Sequence, residues 1–159
     1  MVGIIEQSGI GKNMPDHRHN GFDASRVFFS DIIDRKVLFS HTIVGTSAAT
    51  AANYGVFFNV PFPCYVNSFS ESHQALGTDG GAVTLQLEKL TSGQAPDAGT
   101  VLLSTALSLK TTINTVQSGV IVPLNTSYNL AAGDRLCLKD AGTLTAVSNV
   151  TVTVELVII

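Results

Sequence analysis

Residues 149–159, NVTVTVELVII, restrict the fold more than any other stretch. Val150, Val152, Val154, Leu156 and Ile158 alternate with Thr151, Thr153 and Glu155. A period of two lays one set of side chains on each face of an extended strand and fits no helix. The last three residues are apolar on both faces, so this end of the chain is expected in a covered strand and not in a tail.

The same reading extends upstream. Ala82–Leu90 puts Val83, Leu85 and Leu87 on one face and Thr84, Gln86 and Glu88 on the other. Val37–Val44 and Tyr54–Val60 read as strands, the second ended by Pro61 and Pro63, which fit an edge or a kink. Cys64–Ser70 follows, with Tyr65, Asn67 and Phe69 expected on one face and Cys64, Val66 and Ser68 on the other. Val101–Leu109 and Ile113–Val122 are expected as strands. In Arg135–Lys139, Leu136 and Leu138 point in while Arg135 and Lys139 point out. Asp140–Gly142 is expected to turn a hairpin into Thr143–Val147. Gly77–Gly81 and Ala131–Asp134 are turn clusters, and Thr91–Thr100 is a loop suited to surface binding. Roughly eight strands with no helical period predict an all-β fold, an antiparallel β-sandwich of jelly-roll kind. An extended N-terminal arm, residues 1–36, precedes the sandwich of residues 37–159.

Charge decides which functions are excluded. The net charge is −3, and only 13% of the 159 residues are charged. No basic cluster exists, which argues against a nucleic-acid groove or attachment to an anionic membrane. No apolar run reaches the ~20 residues of a spanning helix, and the N-terminus lacks the pattern of a signal peptide. Synthesis in a cytoplasm follows, with Cys64 and Cys137 read as buried thiols; a bridge between them is the alternative if their strands adjoin. So few charges imply that other chains cover part of the surface; a Ser/Thr-rich β surface is the alternative.

The arm differs from the rest. Residues 1–40 hold ten of the chain's 21 charged residues. Among those charges stand Phe22, Val27, Phe28, Phe29, Ile32 and Ile33. A segment this short cannot bury them by itself, so they must dock on the domain, a sister chain or another partner. The candidate partner-binding residues are therefore Phe22, Arg26, Val27, Phe28, Phe29, Asp31 and Ile32, with ion pairs from Arg18, Arg26 and Asp31 fixing register. His17 and His19 are the candidate metal ligands. In extended backbone they face the same way, and three chains around a threefold axis would supply six nitrogens for a transition metal. The plainer alternative is two polar arm residues on a partner surface. Gly9–Lys12 fails as a phosphate loop, because its glycine spacing is wrong and Asn13 replaces the hydroxyl residue.

Catalytic constellations are weak. His41 and His73 have serines nearby, but no G-x-S-x-G elbow exists. The acids after residue 40 mostly fall at turns or at outward strand positions, and no pair marks a glycosidase cleft. Tyr54, Phe57, Phe58, Phe62, Tyr65 and Phe69 could form a sugar-stacking platform or, more simply, core and subunit interface. No cofactor and no enzymatic activity are expected.

The segment DHRHNGFDASRVFFSDI, residues 16–32, resembles a recurrent N-terminal pattern of tailed-bacteriophage fibre and structural proteins: H-x-H-x-G, a hydrophobic triplet, then Asp-Ile. VTLQLEKLTSGQAPDAGTVLLS and LAAGDRLCLKDAGTLTAVSNVTVTVEL are similar to the β-domains of phage head-fibre, tail-fibre and decoration proteins. The resemblance implies a homotrimer on the virion surface, anchored by the arm to capsid or tail proteins, with the β domain outward. It also implies, as an alternative, a receptor- or carbohydrate-binding module of a tail fibre facing a host-surface glycan. In such proteins an H-x-H pair repeated around a threefold axis can hold iron. No β-helix repeat or coiled-coil heptad marks a long shaft, which favours a compact head-fibre or decoration protein.

Overall fold

The computed structural model describes residues 35–46, 55–123 and 129–159. The C-terminal alternation is realised as β9 (Ser148–Ile158), lying between β1 (Lys36–Thr46) and β3 (Cys64–Ser72). With β7 (Gln117–Gly119) paired to β3, these strands form a four-stranded antiparallel sheet in the order β1-β9-β3-β7. The second sheet has the order β2-β8-β4-β5, with β6 also paired to β4. Its strands are β2 (Val56–Asn59), β4 (Thr84–Leu90), β5 (Thr100–Val101), β6 (Leu107–Ser108) and β8 (Arg135–Ala141). The chain changes sheet between β1 and β2, β2 and β3, β3 and β4, β6 and β7, β7 and β8, and β8 and β9. The expected sandwich of two antiparallel sheets is found, and the described residues contain no helix.

The core lies between the inner faces. Val150, Val152, Val154 and Leu156 of β9 meet Leu85 and Leu87 of β4 and Leu136 and Leu138 of β8, all essentially inaccessible to water. Burying each such side chain contributes roughly 1.5–3 kcal/mol, so β9 is held centrally by its sequence. Between Cys64 and Phe69, the expected faces of β3 fail. The register against β9 shifts between Val66 and Ser68. This bulge inserts one residue and turns Phe69 inward beside Cys64 and Val66.

Three other expectations are corrected. Val101–Leu109 and Ile113–Val122 are not continuous strands but contain only the short β5, β6 and β7. Leu102 and Leu103 are both buried, and consecutive inward residues are incompatible with a regular strand. The segment instead links the sheets: Leu102 N–H donates to the Leu87 carbonyl, while Ser104 and Val122 pair with Val120 and Leu102. The hairpin at Asp140–Gly142 does not form, because β8 pairs with β2 and β4 while β9 lies in the other sheet. Gly142 has φ +85°, and a Cβ there would collide with the Ala82 carbonyl oxygen, so glycine is required where the chain leaves β8. Finally, Glu71 and Glu88 are buried: Glu71 faces the interior, and Glu88, on the outer face of its strand, is covered by the loop that follows.

Candidate functional site

The residues singled out for metal and partner binding, His17, His19, Phe22, Arg26, Val27, Phe28, Phe29, Asp31 and Ile32, lie outside the described residues. The arm boundary at residue 36 falls one residue inside β1, since Lys36 is already paired with Val157. Among the described residues, no group of three or more His, Cys, Asp or Glu could hold a metal, and no helix is long and apolar enough to cross a membrane.

The loop after β4, the candidate surface-binding loop, is pinned to the outer face of the second sheet. Glu88 is fully buried beneath it and accepts the N–H groups of Asp97 and Gly99, both at 2.9 Å. Asp97 sits at φ 70°, a left-handed conformation that few residues adopt. A carboxylate receiving two backbone donors offsets the desolvation of its charge and holds that strained backbone. Arg135 donates to the carbonyls of Thr91 and Gln94, and Gln94 Oε1 accepts the Thr91 N–H at 2.7 Å. A Cβ at Gly99 would strike the Lys89 carbonyl oxygen and Leu90, so the loop packs against the sheet with no room to spare. Leu90 and Cys137, on the outer face, are buried under this cover. Burial also pushes the Cys137 thiol up to about 11, with Glu88 and Asp97 adding to it.

Inside the first sheet lies a second buried polar cluster. Glu71 and His73 are two residues apart in extended backbone and so face the same way, into the interior. Their side chains are 0% exposed, with His73 Nδ1 3.2 Å from Glu71 Oε2. Gln117, directly across the ladder from Glu71, donates to Glu71 Oε1 and to the Ser108 carbonyl. His73 Nε2 finds no partner among the described residues. Burial raises the Glu71 pKa above its ordinary 4.5, while His73 and Gln117 oppose the shift. A carboxylate that orients an imidazole is one half of a general-base arrangement, but both groups are sealed from solvent and no nucleophile adjoins them in the described contacts. The spacing Glu71-x-His73 is the sequence signal that identifies this pair.

The aromatic residues are used in closing the sandwich. Phe39 stacks on Phe58 at 4.2 Å and meets Phe57 at 5.8 Å, while His41 stacks on Phe57 at 5.7 Å. These contacts join the margin of the first sheet to β2, and Phe69 is in the core. Cys64 and Cys137 are free and buried, as expected; burial, with the charge of Asp134, raises Cys64 to about 11.

The outer face of the first sheet carries rows of hydroxyls. Ser118, Ser70, Thr153 and Ser40 stand opposite one another across its four strands. The hydroxyls of Ser40 and Thr153, and of Thr42 and Thr151, are 2.9 Å apart. Its charges are Lys36 and Glu155, paired at 3.6 Å, and Asn67 also donates to Glu155.

Comparison with known proteins adds one likeness of fold. No protein-family model matches the chain, and no curated protein matches it. Among solved structures, the chain is similar to a chain of the "Cyanophage Pam1 capsid asymmetric unit" at a TM-score of 0.52 and 14% identity. The likeness covers 79% of this chain and 86% of that one. At that identity, it is the fold that the two share.

Proposed function

We propose that the chain is a non-enzymatic structural protein of a bacteriophage particle, a head-fibre or decoration protein held on capsid proteins by its N-terminal arm. The observation that carries this reading is the sandwich shared, over most of both chains, with a chain of a cyanophage capsid asymmetric unit. The resemblance of residues 16–32 to the arms of phage structural proteins supports it independently. The sealing of Glu71 and His73 from solvent also suits a protein whose role is mechanical.

The test is attachment to particles. Full-length protein is expected to co-sediment with particles that lack it, while a chain without residues 1–34, retaining all of β1, remains soluble and β-rich but stays in the supernatant. Full decoration by the truncated chain would overturn the anchoring role. Failure of the full chain to bind any particle, with hydrolysis or specific capture of a host glycan instead, would overturn the virion reading.

A further inference from the structure

β1 forms one margin of the first sheet and is paired with β9 from Lys36 to Ile43. Ile158 N–H donates to the Arg35 carbonyl, which sets the phase of that ladder. Odd-numbered residues of β1 exchange hydrogen bonds with β9, and the amides and carbonyls of Leu38, Ser40 and Thr42 point the other way. Among the described residues no backbone group meets them. The other margins are short: β2 has four residues, β7 three and β5 two. A long edge is ordinarily blunted by a charge, a proline or a bulge. Between Val37 and Ile43 there is neither charge nor proline, and the register shift comes only after Ile43. Leu38 stands 67% exposed at this margin.

The edge is also complementary to itself. When it is turned about a twofold axis at Ser40, an antiparallel copy brings Ser40 opposite Ser40 and Leu38 opposite Thr42 on the outer face. On the inner face, Phe39 meets His41 and Val37 meets Ile43, so aromatic faces aromatic and aliphatic faces aliphatic. Lys36, the charged residue of β1, falls outside this overlap and meets no like charge. The outward groups of Leu38, Ser40 and Thr42 provide about six ladder hydrogen bonds between the copies. Moving the axis one residue either way sets Lys36 opposite Thr42 or runs the overlap into the bulge after Ile43. Phe39 and His41 are half-buried on Phe58 and Phe57, and a second copy covers their remaining edges.

We infer that the β1 edge binds a second copy of this chain, antiparallel about Ser40, joining two four-stranded sheets into one continuous sheet. The inference does not depend on the virion reading.

Light scattering and sedimentation of the full chain over a dilution series test it. The expected mass is that of two 16.7 kDa chains, falling to one on dilution. Leu38→Lys with Thr42→Lys places like charges opposite each other across the axis and weakens association by about tenfold or more. Leu38→Glu with Thr42→Lys places unlike charges there and restores it. Both positions are exposed, so circular dichroism and the unfolding midpoint report whether each variant keeps its fold. A monomer at every concentration or a trimer would overturn the inference. So would a double-lysine variant that pairs like the wild type, or a Glu/Lys variant that pairs no better than the double lysine.

Discussion

On the second sheet, the chain uses residues 91–99 to cover an outer face that carries Glu88, Leu90 and Cys137. On the first sheet, the outer positions Ser40, Thr42, Ser70, Thr151 and Thr153 all stay at least partly exposed. The difference follows from what each face offers its neighbours. An irregular loop laid on a sheet brings N–H groups that have no ladder to join, and each needs an acceptor. Glu88 is that acceptor, and a glycine at position 99 lets the backbone come close enough. Hydroxyl residues are both donors and acceptors and satisfy one another across the strands. The covered face therefore relies on a buried carboxylate, with Arg135 and Gln94 holding the rest of the loop, whereas the bare face has separate weak hydroxyl pairs.

Glu88→Ala breaks the covered face most severely. It leaves the Asp97 and Gly99 amides without their acceptor and is expected to cost about 3 kcal/mol. Urea unfolding measures the loss, and hydrogen exchange at Asp97 and Gly99 should rise well before global unfolding. Gly99→Ala attacks the same contact from the loop side. Its Cβ has no space against Lys89 and Leu90, so a cost of about 2 kcal/mol is expected, and retained exchange protection at Asp97 would contradict the tight approach.

The Glu71 pair, inside the uncovered sheet, gives a smaller effect that depends on pH. Because burial raises the folded pKa above 4.5, the stability held by the protonated carboxyl is full below 4.5 and is lost as pH rises through the raised value. Glu71→Gln removes that titration. The fall in unfolding free energy from pH 4 to pH 8 should be smaller in the variant than in the wild type; equal slopes would contradict the shift.

The bare face should respond least. Thr151→Val and Thr153→Val each remove a hydroxyl pair at a partly exposed position and are expected to change stability by about 0.5 kcal/mol or less. A loss several times larger at either site, seen in thermal unfolding, would mean that the hydroxyl rows bear on the fold as Glu88 does.

The sequence by itself determined the class of fold and its central strand. Alternation from Val150 to Ile158 leaves one apolar face that only a second sheet can cover, and the faces of β4 and of Leu136 and Leu138 follow the same local rule. Tertiary structure decided the places where local periodicity is broken. The bulge after Val66 turned Phe69 inward because the register with β9 shifts there, and the consecutive buried Leu102 and Leu103 replaced expected strands by a link between sheets. Glu88 reads as an outward residue until the loop folds over it. Glu71 reads as solvated until Gln117, 46 positions away, is brought across the ladder. Within a regular strand a residue's neighbours along the chain fix which way it points, but where a strand bulges, what covers a residue and which partners reach it depend on strands distant in sequence.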